Sequence, residues 1–112
     1  MPRTGLCPAA CGQVHSYTSD LVRWCWLHAT RGVHALDVEL NSAPPALIRR
    51  QFDGTDREFW RAWTGLEVTA KLTDVPALTL LRNGELHHPR LRGLKLRHYE
   101  IHNAIVCLGE RF

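Results

Sequence analysis

The apolar positions of the first third of the chain predict a strand and then a helix. Residues 13–18 predict a short strand, and a helix follows from a cap at Ser19 or Asp20 to Ala29. A competing interpretation makes residues 13–30 a single helix, because apolar side chains recur there at helical spacing. We favour the strand and the helix, since the Ser, Thr and Asp residues between them prefer caps to helix interiors.

The middle of the chain predicts a buried strand followed by two helices. Residues 33–40 are largely apolar and have the length of a strand. Pro45 fits the first turn of the helix that follows, because a helix needs no N–H at that position. Thr55 and Glu58 have the spacing of a capping box, in which the two residues exchange hydrogen bonds at a helix N-terminus. They predict a second helix that ends near Gly65.

The last third of the chain predicts a β-hairpin and a terminal helix. Pro76 cannot donate to a sheet ladder, so it belongs at the first residue of a strand. Asn83 and Gly84 separate two apolar runs, which is the usual signal for a tight turn. Together these residues predict a hairpin over residues 77–91. An apolar stripe at helical spacing over residues 94–108 predicts the final helix.

Length and composition indicate one globular domain spanning residues 1–112. The chain is 45% hydrophobic and 22% charged, and a chain of this length buries a core without disulfides. Fourteen Lys and Arg residues against eleven Asp and Glu give a net charge of +3, which is too small to indicate a nucleic-acid surface. No apolar run reaches the length of a membrane span, and the N-terminus lacks the apolar core of a signal peptide. We therefore expect a cytoplasmic protein with no membrane or nucleic-acid partner.

The order of the predicted elements, and residues 73–96 in particular, resemble the thioredoxin-like superfamily. Val75 and Pro76 are similar to the residues that precede the third strand there, and Gly93 is similar to the glycine before the last helix. The resemblance implies a single α/β domain with a four-stranded mixed sheet flanked by helices. It also implies a cis peptide bond before the proline. Prolines and glycines in residues 1–12 separately predict that this N-terminal segment is irregular.

The cysteine motif of that superfamily is degenerate in this chain, because no Cys-x-x-Cys occurs anywhere. An alignment with glutaredoxins puts Val22 at the nucleophile and Cys25 at the resolving position. An alignment with thioredoxins makes Cys25 the nucleophile and puts His28 at the resolving position. The resemblance therefore implies a degenerate thioredoxin- or glutaredoxin-like protein, which is at most a monothiol oxidoreductase.

The resemblance also implies a site, with Cys25 as the catalytic residue and Trp24, Val75 and Pro76 as substrate-binding residues for glutathione or a peptide. A thiol near a helix start and beside Arg23 would be partly thiolate and could exchange with glutathione. Alternatively, Cys25 is a small buried hydrophobe. The chain would then be a non-enzymatic interaction module that binds a protein partner on a thioredoxin scaffold.

A third hypothesis is a small zinc-stabilised domain. Three residues separate Cys7 from Cys11, and two residues separate Cys25 from His28. Three thiolates and an imidazole are suitable ligands for tetrahedral zinc. Both spacings are loose versions of common zinc patterns, and His15 is a spare candidate.

Two other clusters are expected to be solvated surface. His98 and His102 are four residues apart and would share one face of the predicted terminal helix. Beside the predicted hairpin lies a basic patch suited to glutathione carboxylates, a phosphate or an acidic partner, formed by Arg90, Arg92, Lys95 and Arg97.

Overall fold

The structure of the chain is a computed structural model. It describes residues 6–7, 14–27, 29–30, 32–90 and 92–112. The elements in chain order are β1 (Leu6–Cys7), β2 (Val14–Tyr17), β3 (Arg23–Trp26), β4 (His34–Leu40), α1 (Ala46–Arg49), α2 (Asp56–Thr73), α3 (Ala77–Arg82), β5 (Leu94–Ile101) and β6 (Ala104–Arg111).

The strands of the described residues form two antiparallel sheets, called sheet A and sheet B. Sheet A has the strand order β1-β3-β2, and sheet B has the order β4-β6-β5. The central strand of sheet A is β3, which pairs with both of its neighbours. The central strand of sheet B is β6, because β4 and β5 both pair antiparallel with it. The two outer strands of sheet B therefore run parallel to each other.

Both faces of sheet B carry buried side chains, because successive residues of a strand point to opposite faces. On one face, Ala35 and Cys107 pack against Val68 of α2. On the other face, Leu36 packs in a cluster with Trp24 of sheet A. Sheet B is thus covered by α2 on one side and by sheet A on the other.

At Gly109 of β6, α2 lies close against sheet B. A Cβ atom placed on Gly109 would lie 2.2 Å from Cγ1 of Val68, 3.0 Å from Cδ1 of Leu72 and 3.1 Å from Cδ2 of Leu96. Carbon atoms in contact normally stay about 3.5–4.0 Å apart. The absence of a side chain at this position therefore lets the helix lie directly on the strand.

Several local predictions are confirmed. The structure has the capping box, in which the Glu58 amide donates to Thr55 Oγ1 over 3.1 Å and the Thr55 amide donates to Glu58 Oε1 over 2.9 Å. The strands predicted over residues 13–18 and 33–40 are β2 and β4. Pro45 lies immediately before α1, as its tolerance at a helix start predicts.

The predicted thioredoxin-like fold, with a four-stranded mixed sheet flanked by helices, is wrong. The described strands form two antiparallel three-stranded sheets, with no parallel pair between hydrogen-bonded neighbours. Within residues 1–12, which were expected to be irregular, Leu6–Cys7 form a strand. The rest of that segment lies outside the described residues.

The hairpin predicted over residues 77–91 is a helix, α3, followed by turns. Pro76 has φ −57° and precedes the helix, because the fixed φ of proline suits a helix start as well as a strand start. Gly84 has φ +78° just after Asn83 and ends the helix instead of forming a hairpin turn. The described residues contain no cis peptide bond, so the cis form expected at Pro76 is absent.

The helix predicted between Ser19 and Ala29 is replaced by a turn and the strand β3. Asp20 accepts a hydrogen bond from the Val22 amide over 3.3 Å, so its carboxylate stabilises a turn and does not cap a helix. Tryptophans such as Trp24 favour strands. A short apolar run does not by itself distinguish a strand from a helix.

The helix predicted over residues 94–108 is the hairpin of β5 and β6. His98 lies on β5, whereas His102 lies in the turn at φ +55°, so they do not share a helix face. Residues 104–108 are all buried, because β6 lies between two strands and is covered on both faces. That continuous burial removes the alternating pattern by which a half-buried strand is recognised.

Candidate functional site

Sheet A brings together three of the candidate ligands that the sequence suggested. Cys25, in the middle of β3, lies opposite Cys7 of β1 and opposite His15 of β2. Directly opposed positions on antiparallel strands share a face of the sheet, with Cβ atoms about 4.5–5.5 Å apart. The backbone register thus places Cys7, Cys25 and His15 in one row across the sheet, called the Cys–His row.

The hairpin of β2 and β3 sets this register. Tyr17 lies opposite Arg23 at the closed end of the hairpin, where Asp20 also accepts a hydrogen bond from the Thr18 hydroxyl. His15 is two residues before Tyr17, and Cys25 is two residues after Arg23. Because strand residues two apart share a face, the turn fixes the side of the sheet on which His15 and Cys25 meet.

Cys25 has no exposed surface, and the adjacent Trp24 is only 5% exposed. The thioredoxin-like interpretation relied on a helix N-terminus to stabilise a thiolate. Cys25 instead lies within a strand. Glutathione could reach this sulfur atom only after a rearrangement that exposes it, so the burial disfavours the predicted catalytic role, which stays a prediction.

The other predicted substrate-binding residues do not meet at Cys25. Trp24 packs in the core between the two sheets. Val75 is half-buried in the cluster of Phe59 on the helical side, and Pro76 is exposed between α2 and α3. The structure therefore divides the predicted site between two parts of the fold.

Of the predicted zinc ligands, Cys11 and His28 lie outside the described residues. No group of three or more His, Cys, Asp or Glu side chains is arranged to hold a metal within the part of the chain that the structure describes. His15 is half-buried and makes an edge-on ring contact with Tyr17, with 5.7 Å between the ring centroids.

A second cluster, which the sequence-based predictions missed, lies between β4 and α2. It consists of Asp37, Glu39, Glu67 and Lys71 and is called the acidic cluster. Asp37 and Glu39 share a face of β4, and Glu67 and Lys71 are one turn apart on α2. The Lys71 ammonium donates to the Leu36 carbonyl over 2.6 Å and lies 3.6 Å from Asp37 Oδ1.

Burial dominates the electrostatics of this cluster. It raises the pKa of Asp37 to about 8 and that of Glu39 to about 6, although Lys71 opposes both shifts. Burial also raises the pKa of Glu67. Asp37 is 6% exposed, and its Oδ2 atom has no hydrogen-bond partner. Two carboxylates at core-facing positions of a predicted strand were the sequence signal that could have identified the cluster.

The basic patch expected to be solvated is partly engaged. Arg92 forms a two-pronged ion pair with the buried Glu85, with 2.7 Å between Nη2 and Oε2. The hydrogen bond from Arg92 holds the pKa of Glu85 below its usual range. Both residues line a cavity of about 130 Å³, together with His98, whose Nε2 lies 2.8 Å from the Arg61 carbonyl oxygen. Burial, assisted by the nearby Arg61 charge, lowers the pKa of His98.

No protein family, curated protein or solved structure matches this chain. Within the described residues, every helix is too short or too polar to cross a membrane.

Proposed function

We propose that this chain is a small zinc-binding domain in which the metal stabilises sheet A. The observation that supports the proposal is the Cys–His row. Its backbone register sets Cys7 and His15 on either side of Cys25. The residue types in this row are those that zinc prefers.

The backbone spacing of the row would let neighbouring members share a metal ion, although the described side chains are not arranged as a metal site. Zinc binds thiolates at about 2.3 Å and imidazole nitrogens at about 2.0–2.1 Å, so two sulfur ligands of a tetrahedral ion lie roughly 3.8 Å apart. Opposed positions on neighbouring strands have Cβ atoms about 4.5–5.5 Å apart, from which such a separation can be reached.

The short strands of sheet A are elements that a cross-link would stabilise. Its strands contain two, four and four residues. Short hairpins are marginally stable in water unless a larger apolar face or another constraint supports them. A structural zinc ion contributes its binding free energy directly to folding. Zinc would therefore add to the stability that sheet A gains from packing Val14 and Trp24 against sheet B.

The proposed ligand set contains three cysteines and one histidine. Cys7 and Cys25 come from the Cys–His row, and Cys11 is included on its sequence spacing. The histidine is either His15, from the row, or His28, from its spacing to Cys25. A zinc site closed by four protein ligands is structural, so this proposal assigns no reaction to the metal.

The redox hypothesis is a separate proposal with the same cysteine. If Cys25 holds zinc, it is not available as a monothiol nucleophile for glutathione. The interaction-module hypothesis is compatible with a zinc site, because a stabilised sheet can still serve as a scaffold for a protein partner.

Native and denaturing mass spectrometry of the purified chain tests the zinc proposal. We expect one zinc ion per chain in the native spectrum and none after denaturation. Cys25→Ser and Cys7→Ser should each abolish zinc binding. The matched control is Cys107→Ala, which removes an equally buried thiol from beneath α2 and should leave the zinc content unchanged.

Two histidine variants identify the fourth ligand. His15→Asn and His28→Asn should differ, with only one of them losing zinc. A folded native chain that holds no zinc after refolding with added zinc would contradict the proposal. A single glutathione adduct on Cys25 in a metal-free chain would instead support the monothiol hypothesis.

A further inference from the structure

We propose that the cavity between α2 and β5 binds a small carboxylate, with the apolar tail inside the cavity and the carboxylate beside Arg61. This is the cavity lined by Glu85, Arg92 and His98, and it is called the inner cavity. The inference goes beyond the zinc proposal, because none of the residues that line the inner cavity belongs to sheet A. It rests on an apolar wall, a fixed ion pair in that wall, and an arginine without an acidic partner at the opening.

The inner cavity has the size and the lining of a site for a small apolar group. Apolar side chains from α2, α3, β5 and the segment before β5 form much of its wall: Ala62, Leu66, Leu80, Pro89 and Leu96. Its volume is about 130 Å³. An apolar cavity of about 150 Å³ in another protein stays free of water and binds benzene. A ring or chain of about six carbon atoms therefore fits the inner cavity.

The ion pair of Glu85 and Arg92 is a fixed part of this wall. Oε2 of Glu85 accepts a hydrogen bond from Nη2 of Arg92 over 2.7 Å, and Oε1 accepts from Nη1. Two parallel hydrogen bonds fix the geometry of a pair as well as strengthening it. Because the two charges largely neutralise each other, Arg92 is not the group that would hold a bound anion. The pair instead keeps the wall in place, and a pre-formed wall reduces the ordering that binding requires.

The inner cavity opens into a shallow groove on the surface, called the outer groove. Arg61, Ala62 and Pro89 line both of them, so these residues lie where the cavity meets the groove. The outer groove also contains the stacked rings of Phe52 and His87, with 5.2 Å between the ring centroids. A ligand could therefore enter the inner cavity past Arg61 while its polar end stays in the groove.

Arg61 is a cation without an acidic partner at this opening. Its side chain is exposed, and no carboxylate of the described residues lies within ion-pair distance of it. By contrast, Arg57 on the preceding turn of α2 pairs with Glu100 over 2.9 Å. Glu58 also lines the outer groove, but its carboxylate accepts the capping hydrogen bond from the Thr55 amide. Arg61 is thus available to a carboxylate that another molecule brings.

His98 adds a neutral ring to the wall. Its Nε2 atom lies 2.8 Å from the Arg61 carbonyl oxygen, and a carbonyl only accepts, so Nε2 carries the hydrogen. Burial and the Arg61 charge both lower the pKa of His98, so the ring is uncharged at neutral pH. The same effect means that the field of Arg61 reaches the wall of the inner cavity.

A monocarboxylate fits this arrangement better than an amine or a phosphate. Arg61 and Arg92 are the permanent cations among the described residues that line the inner cavity, and Arg92 is neutralised by Glu85. One available positive charge matches one carboxylate, whereas a phosphate monoester carries nearly two negative charges. An ammonium would be repelled by Arg61. Ligand sites commonly combine an apolar pocket with a few polar groups that orient the ligand.

A titration of the purified chain with hexanoate at pH 7, followed by NMR of the backbone amides, tests the inference. We expect saturable shifts at the amides of Leu66, Leu80 and Leu96. Hexanamide, which has the same tail without the charge, should bind about three- to fivefold more weakly. Hexylamine should bind more weakly still. Acetate should bind about a hundredfold more weakly than hexanoate, because it lacks four methylene groups that fill the cavity.

Three variants locate the two parts of the site. Arg61→Gln should reduce the affinity for hexanoate to that for hexanamide and leave hexanamide binding unchanged. The matched control is Arg57→Gln, an exposed arginine of the same helix that lines neither the inner cavity nor the outer groove, and it should bind both ligands like the native chain. Ala62→Leu places a larger side chain at the opening and should abolish binding of both. The NMR spectrum of each variant checks that its fold is intact.

Three results would overturn the inference. The first is the absence of saturable shifts at the amides of the cavity wall. The second is equal affinity for hexanoate and hexanamide, or equal hexanoate binding by Arg61→Gln and the native chain, because the carboxylate would then not be recognised. The third is hexanoate binding that a folded Ala62→Leu variant retains, which would place the ligand elsewhere on the chain.

Discussion

Replacing Gly109 by alanine tests how closely α2 lies on sheet B. The new methyl group would lie 2.2 Å from Cγ1 of Val68, and two leucine methyl groups stand at 3.0 and 3.1 Å. Val68 has no exposed surface. A β-branched residue on a helix has one strongly preferred rotamer, so Val68 cannot easily turn away. The helix would instead have to move away from the strand by about 1.5 Å to reach normal carbon–carbon contact.

The magnitude follows from this overlap. Extra methyl groups in a well-packed core destabilise proteins by about 1–3 kcal/mol, and we expect the upper end of that range for Gly109→Ala. Val68→Ala alone should destabilise by about 2–3 kcal/mol, because it removes two buried methyl groups and leaves a cavity. If the two effects were independent, the double variant would lose about 5–6 kcal/mol. We expect only about 2–3 kcal/mol, since the new methyl group would occupy the space that valine leaves.

Urea unfolding followed by tryptophan fluorescence measures these differences in the free energy of unfolding. The matched control is Gly65→Ala on α2, where a Cβ atom would lie an ordinary 3.6 Å from His98 Nε2. This change should be neutral or stabilise by up to about 1 kcal/mol, because alanine has the higher helix propensity. A loss below about 0.5 kcal/mol for Gly109→Ala, or additive losses in the double variant, would refute the close contact between α2 and β6.

Two further predictions concern titration and capping. The pKa of Asp37 is about 8 in the folded chain against an ordinary value of 3.8, so the folded state holds this proton more tightly and stability should decline as pH rises from about 4 to 8. Asp37→Asn should flatten this decline and raise the urea midpoint at pH 8. If the variant and the native chain had the same pH profile, the carboxyl of Asp37 would be solvated. Thr55→Ala removes the capping box and should lower the free energy of unfolding by about 1 kcal/mol. Thr55→Ser should keep most of the stability that the capping box contributes, because serine also carries a hydroxyl group. Equal unfolding midpoints for Thr55→Ala and Thr55→Ser would contradict the role of the cap.

Elements that depend on neighbouring residues could be predicted from the sequence. The capping box is a local hydrogen-bond exchange, and Thr55 and Glu58 carry all of it. The strand β4 is recognisable from its own apolar residues and its length. In both cases the information lies within a few consecutive positions.

Elements that depend on distant partners could not be predicted. Pro76 and Gly84 fit a hairpin as well as a helix, so tertiary contacts decide the outcome. Leu80 of α3 is buried against the aromatic residues of α2, a contact that no local pattern reveals. Likewise, β6 has no alternating pattern, because strands and core layers surround it on all sides.

The candidate sites likewise combine residues that the sequence suggested with an arrangement that depends on distant contacts. The sequence suggested Cys7 and Cys25 as zinc ligands, but their opposition could not be seen while residues 20–29 were expected to be a helix. His15 joined them only through the register of β2 with β3. The acidic cluster requires β4 and α2 to be packed together, so its raised pKa values could not be read from the sequence.

The central position of β6 has a consequence for folding during synthesis. When β4, the three described helices and β5 have emerged from the ribosome, β6, the strand that joins β4 to β5 in sheet B, has not yet emerged. Until β6 emerges, the backbone of β4 lacks the strand with which it pairs in sheet B. Pairings between distant segments form slowly. The nascent chain therefore exposes an unpaired strand together with its apolar side chains, and both features promote aggregation. We expect the yield of folded protein to depend strongly on chaperones that protect β4 until its partner arrives.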